Sequence, residues 1–229
     1  MIKENLLKLY EKIDSIKSKL NIDYEIQLMC VSKTRTKEEI IEAINSRQFL
    51  FGENRVLEAY DKFNSNEIKN KKHQLHIIGH LQRNKAKKAV EISNMIQSID
   101  KIETLDVLEN ICNEKNKKID YLIEINTTLE MQKYGILPDN YNQLLEKIIK
   151  KSYNYCNLRG LMTVGPFTSD TKKIKYSFNQ LFNIFNKIKD DIKKNDFNIL
   201  SMGMSNDYEI AIEEGSNLIR IGSLIFGNR

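Results

Sequence analysis

Eight short apolar runs alternating with longer amphipathic stretches constrain the fold of this chain more than any other feature. The runs are IQLMCVSK (26–33), FLFGE (49–53), LHIIG (75–79), MIQSID (95–100), YLIEIN (121–126), RGLMTV (159–164), ILSMG (199–203) and LIRIG (218–222). Near-continuous apolar runs that end in Gly, Ser, Asn or a charged residue mark strands covered on both faces, as in parallel sheets with crossover helices. Between them, KEEIIEAINS, VLEAYDKF, IETLDVLENICNE, YNQLLEKIIKKS, IKYSFNQLFNIFNKIKDDI and DYEIAIEEG set charges opposite an apolar stripe at helical spacing. Eight such units predict a closed (β/α)8 barrel, with an open eight-stranded sheet as the alternative.

The length of 229 residues suits one barrel, and the chain carries no Pro/Gly-rich linker, solenoid repeat or low-complexity tail, so residues 1–229 read as a single domain. Only SLIFGNR follows the eighth run, too little for a long closing helix. The helical pattern MIKENLLKLYEKIDSIKSKL at the N-terminus is therefore expected to cover that gap. The same interrupted pattern lacks the continuous apolar core of a signal peptide. No run approaches the roughly 18 to 20 apolar residues of a membrane span. The expected location is the cytoplasm. Cys30, Cys112 and Cys156 are odd in number, far apart and without a C-x-x-C pair, which reads as reduced, buried packing thiols.

Chemistry in a barrel of this kind belongs at the C-terminal ends of the strands. The period of two puts Met29, Val31 and Lys33 on one face of the first strand, with Leu28, Cys30 and Ser32 on the other. If the first face looks inward, Lys33 ends an apolar column. A lysine held there is partly desolvated, which lowers its pKa and frees the amine for Schiff-base chemistry. A snorkelling strand-end lysine is the plain alternative.

The other end of the chain, LSMGMSND followed by NLIRIGSLIFGNR, supplies the seventh and eighth strand ends, the recurrent phosphate-binding place in such barrels. Ser205 suits either a phosphate contact or the N-cap of a helix beginning near Asp207. Gly222 and Ser223 offer close backbone approach and a hydroxyl. Arg220 shares a face with Leu218 and Gly222 and should point inward, where an ion pair with Glu124 or Glu53 is one way to partner it.

Taken in order, VSKT (31–34), FGENRV (51–56), HIIGHLQRNK (76–85), IQSID (96–100), LIEIN with the following Glu130, Lys133 and Gly135, RGLMT (159–163), LSMGMSND and IRIGSLIFGNR resemble one family across nearly the whole chain. That family is the pyridoxal phosphate homeostasis proteins, which look like the barrel domain of alanine racemase standing alone. The resemblance implies a fold-type III barrel that holds pyridoxal 5′-phosphate as a Schiff base on Lys33. It implies that Ser205, Gly222 and Ser223 hold the phosphate, that Arg220 faces the pyridine nitrogen, and that Asn54 lines the pocket. Arginine keeps its proton, so it cannot protonate that nitrogen, and the cofactor becomes a weaker electron sink. The sequence departs from the family pattern in Ser223 where threonine is expected, in Thr34-Arg35-Thr36 rather than Thr-Lys-Pro, and in Leu75 where many relatives carry tryptophan.

In alanine racemase a second domain supplies a tyrosine as the opposite-face acid/base, and racemisation needs a proton donor on each face. This sequence stops at the barrel. The expected function is therefore to hold the cofactor reversibly and to buffer it for, or deliver it to, apo-enzymes, without robust catalysis; the resemblance also implies a monomer. The alternative is a cofactor-dependent racemase or related enzyme of a small amino acid, using His80 or Tyr134 as second base. Lys133, beyond the fifth strand, is a candidate for assisting transfer or a plain exposed lysine. The basic runs KNKKH (69–73) and RNKAKK (83–88) lack interleaved aromatics and any nucleic-acid motif, so no nucleic-acid partner is expected. The net charge of +5 names no partner by itself.

Overall fold

The computed structural model describes residues 1–227, so the last two residues of the IRIGSLIFGNR motif lie outside the described residues. Its strands are β1 (Gln27–Val31), β2 (Leu50–Glu53), β3 (Gln74–Ile77), β4 (Met95–Ile99), β5 (Ile119–Glu124), β6 (Cys156–Met162), β7 (Ile199–Met204) and β8 (Leu218–Ile221). They pair in chain order, all parallel, and β8 closes on β1. The (β/α)8 barrel expected from the pattern is the fold, and each apolar run became one strand with ends displaced by a few residues.

The helices are α1 (Ile2–Leu20), α2 (Lys37–Asn45), α3 (Val56–Phe63), α4 (Ala86–Ile92), α5 (Ile102–Glu114), α6 (Tyr141–Lys151), α7 (Thr171–Ile192), α8 (Tyr208–Glu213) and the single turn α9 (Ser223–Phe226). Their starts follow from local chemistry. Thr36 and Glu39 form a reciprocal capping box at α2, and Asp170 accepts the Lys172 and Lys173 N–H groups at α7. The unusual Thr36 thus serves as a cap.

Alternation along the strands divides the core in two. Cys30, Phe51, Leu75, Ile96 and Ile219 face outward beneath the helices, in one continuous apolar layer. Inside, Met95, Leu122 and Met162 form a small apolar floor. Met29 also points inward, because Gly52 on the adjoining strand leaves it room: a Cβ there would lie 2.5 Å from the Met29 sulfur. All three cysteines are free and buried. No helix among the described residues is long and apolar enough to cross a membrane.

Helix α1 covers the place left by the short end of the chain. It buries Ile2, Leu6, Leu9 and Ile13, packs on α9, α2 and α8, and fixes its start with a 2.9 Å hydrogen bond from Asn5 Nδ2 to the Ile225 carbonyl. Leu6 is 2% exposed. Truncating such a leucine costs about 2–5 kcal/mol through lost burial and the cavity left behind. Leu6→Ala should therefore lower the melting temperature by roughly 5–15 °C, and removal of residues 1–20 should yield insoluble protein; a truncated chain that melts like the full one would show that α1 is not part of the barrel wall.

Candidate functional site

Lys33 lies two residues beyond β1, and the loop that carries it is pinned from behind by a buried lysine. Lys62, from α3, donates to the Ser32 carbonyl at 2.8 Å and the Arg35 carbonyl at 3.3 Å, bracketing Lys33 on both sides. Its ammonium also meets Glu53 at 2.7 Å and Glu58 at 2.8 Å. Glu53 accepts the Ser32 hydroxyl at 2.7 Å, and Glu58 accepts the backbone N–H of Thr34. Thr34 has φ 62°, a region that β-branched residues avoid, so this contact holds a strained residue next to the candidate anchor. Burial raises the Glu53 carboxyl above its ordinary range against the pull of Lys62. In Glu58 burial acts in the same sense but loses to the hydrogen bonds from Lys62 and Thr34, and the carboxyl is lowered.

Lys33 opens into a cavity of about 900 Å³ at the C-terminal ends of the strands. Its walls include Lys33 and Arg35 after β1, the segment 164–171 after β6, Met204 to Asp207 after β7, and Arg220, Gly222 and Ser223 from β8 onward. Arg35 bridges to the far end of the chain, donating to the Phe226 and Gly227 carbonyls. Ser205 does not cap α8, which starts from Asp207 without a side-chain cap. Its hydroxyl accepts the Gly222 N–H at 3.4 Å instead, tying the β7 and β8 loops together. The N–H groups opening the turn α9 have no partner within it. With the Ser205 and Ser223 side chains they line one side of the cavity.

Arg220 is 4% exposed and points into the barrel, as the strand period predicts. Its direct partners are the Ser201 hydroxyl and the Thr163 carbonyl, both at 2.7 Å, rather than a carboxylate. Glu53 faces outward to Lys62, so it is excluded as the partner. Burial lowers the guanidinium pKa to about 10, opposed by Asp207 and Glu124 across the cavity wall. At neutral pH it stays charged. Glu124 lies at the end of β5, where burial and the neighbouring Asp100 push its pKa up to about 7, with Arg220 pulling the other way. Gly135 permits the loop after β5 to fold against it: at φ 103°, a Cβ would sit 2.9 Å from the Asn126 nitrogen and 3.1 Å from the Glu124 side chain.

The structure thus gathers Lys33, Ser205, Arg220, Gly222 and Ser223 around one cavity. Asn54 lies half-buried beyond β2 and is not among the lining residues, because its backbone is backed against Gly79. Lys133 does reach the cavity, held by Glu130 at 2.7 Å and the Gly165 carbonyl at 3.0 Å. His80 and Tyr134 stack on each other at 4.0 Å outside that lining. Sequence reading overlooked Lys62, Ser201, Gln97 and Thr163. The available signal was a polar residue at an inward position of an apolar strand, as with Gln97 in MIQSI.

The molecule is thus a parallel eight-stranded barrel with a lysine just beyond β1, an inward arginine on β8, and hydroxyls and backbone N–H groups of the last two loops facing one cavity. Residues 5–229 match the family model described as alanine racemase, N-terminal domain, and the chain belongs to that family. A relative from Pasteurella multocida named pyridoxal phosphate homeostasis protein is 33% identical over 229 residues, covering 100% of this chain and 97% of the relative. The human protein of the same name is 33% identical over 215 residues, covering 89% of this chain and 76% of the relative. The structure of PipY from Synechococcus elongatus with PLP bound superimposes with a TM-score of 0.86 at 28% identity, covering 99% of this chain and 100% of that one. A Clostridium difficile alanine racemase shares the fold at TM-score 0.71 and 17% identity, and this chain spans 56% of it.

Two outcomes test the electrostatics. Replacing Lys62 by Met strands the buried Glu53 and should cost about 3–5 kcal/mol in denaturant titrations, whereas the double variant Lys62→Met/Glu53→Gln should recover much of that loss. Equal loss in the double variant would remove the ion pair from the account. The Glu124 pKa is raised in the folded state, so its contribution is fully present below its unfolded pKa and is lost as pH rises through about 7. Glu124→Gln should match the parent protein at about pH 3.5, where the glutamate is mostly uncharged in both the folded and the unfolded state, and be the more stable by up to about 3 kcal/mol at about pH 8.

Proposed function

We propose that this chain is a cytoplasmic, monomeric carrier that binds pyridoxal 5′-phosphate reversibly on Lys33 and buffers or delivers it to apo-enzymes, without robust catalysis of its own. The observation that carries this reading is the meeting of an amine, a buried guanidinium and an anion cradle in one cavity. The names of the relatives and the PLP bound to PipY support it.

The residues present fit the group. A cavity of about 900 Å³ suits a cofactor of this size. The cradle of Ser205, Gly222 and Ser223 is built from hydroxyls and backbone N–H donors, which suits a phosphate rather than a cation. When bound, the cofactor supplies an electrophilic carbonyl attached to a conjugated pyridine ring. Lys33 would supply the amine that holds that carbonyl, and the Lys62 cluster fixes the loop from which it reaches. Arg220 would meet the ring nitrogen as a donor that retains its proton, which would suit the site better to holding the cofactor than to stabilising carbanions. Among the described residues Lys33 enters no ion pair.

The test is to titrate the purified protein with pyridoxal phosphate, follow absorbance, reduce with borohydride and map the modified peptide by mass. One adduct, on Lys33, is expected. Lys33→Ala should lose it completely and bind at least about tenfold more weakly. Loaded protein should also activate an added apo-enzyme. Absence of an adduct, or an adduct on another lysine, would refute the binding reading; a Lys33 adduct that never exchanges would refute delivery.

A further inference from the structure

We propose that Ser201 and Gln97 are positioning residues that fix Arg220 in the cavity wall, through a one-directional chain of hydrogen bonds running Arg220 → Ser201 → Gln97 → His76 across the barrel interior. The functional consequence rests on the carrier reading above, whereas the chain itself stands on the geometry of the protein.

The distances are continuous. Arg220 Nη1 lies 2.7 Å from Ser201 Oγ, Ser201 Oγ lies 2.7 Å from Gln97 Oε1, and Gln97 Nε2 lies 2.9 Å from His76 Nδ1. The four residues come from β8, β7, β4 and β3, and Ser201 and Gln97 are 104 positions apart in the chain, so closure of the barrel alone brings them together. All four are buried, with Ser201 and Gln97 at 0% exposure. Unpaired polar groups at that depth are costly, which makes the pairing along the chain informative.

The direction follows from donor chemistry. A guanidinium only donates, so Ser201 Oγ accepts from Arg220 and must pass its single O–H onward to Gln97 Oε1. The Gln97 amide N–H then points at His76, whose Nδ1 has to accept, leaving the ring proton on Nε2. Rotating the Gln97 amide by half a turn would aim two donors at the serine oxygen and strand its O–H. Burial supports the neutral ring, holding the His76 pKa down to about 3. The second guanidinium nitrogen, Nη2, donates to the Thr163 carbonyl at 2.7 Å. Two anchors on different strands thus fix the guanidinium plane, leaving its other N–H groups for the cavity. The chain contains no group that releases a proton near neutral pH. A ring nitrogen meeting Arg220 would therefore find a donor fixed in direction and backed by no acid.

A purely structural role predicts lost stability and nothing else, so the experiment reads the site directly. In cofactor-free protein, nitrogen-detected NMR should find His76 as the Nε2–H tautomer, without protonation between about pH 5 and 8. Gln97→Glu replaces the amide N–H by an acceptor, so His76 must become the donor, and its pKa should rise by at least about one unit. An Nδ1–H tautomer in the parent protein, or a His76 unmoved in Gln97→Glu, would overturn the chain whatever the cofactor does. With pyridoxal phosphate, Ser201→Ala should still form the borohydride-trapped adduct on Lys33, but with a displaced visible absorbance band and release faster by about tenfold. Ser201→Thr, which keeps the hydroxyl, should restore both. An intact Lys33 adduct in Ser201→Ala with unchanged band and release would overturn the positioning role while leaving the carrier reading in place. Absence of the adduct in the parent protein would instead sink the carrier reading and leave the NMR result to decide the chain. If Gln97→Glu does not fold, the single-hydroxyl comparison of Ser201→Ala with Ser201→Thr decides.

Discussion

The pairing of β8 with β1 is the interaction on which the remainder of the structure depends. It sets Met29 beside Arg220 and Cys30 beside Ile221, so residues from opposite ends of the chain share one wall. The next residues on each strand then open into the same cavity, Lys33 from one side and Gly222 and Ser223 from the other. Without closure there would be a lysine at one sheet edge and an arginine at the other, with no site between them. The supports of that seam have the same origin: Asn5 bonds the Ile225 carbonyl, and Arg35 bonds the carbonyls of Phe226 and Gly227.

Two buried cationic groups stand near the site, and they are handled differently. Lys62 lies outside the barrel wall and is neutralised by Glu53 and Glu58, while its remaining capacity clamps the carbonyls around Lys33. Arg220 lies inside and is met at hydrogen-bond distance by uncharged acceptors, with Asp207 and Glu124 acting on it from further away. A lysine ammonium is a compact charge that several carboxylates can surround, whereas the planar guanidinium can be oriented by two acceptors and still present donors to a third direction. The arrangement suits Lys62 to holding a loop and Arg220 to meeting a ligand.

The eight strands and the covering helix were legible because burial on both faces writes itself into the sequence as apolar runs, and helical crossovers write themselves as charged stripes. Lys33 and Arg220 were legible as inward residues because the period of two is rigid. The partner of Arg220 was not: Glu124 and Glu53 were reasonable from charge alone, but Glu53 belongs to the outward face, and a serine hydroxyl and a backbone carbonyl serve instead. Ser205 likewise read as either a phosphate contact or a cap, since the spacing to α8 suits one. Its hydroxyl instead accepts the Gly222 N–H from the β8 loop.

By itself the sequence determined the eight strands, the helices between them and which residues stand at the strand ends, because these follow from local periodicity; a closed barrel was its expectation beside an open sheet. Tertiary structure alone decided which of those residues meet. The Lys62 cluster and the polar chain from Arg220 to His76 join residues tens to more than a hundred positions apart. Their distances are fixed only when closure brings non-neighbouring strands across one interior, and no periodic signal along the chain encodes that.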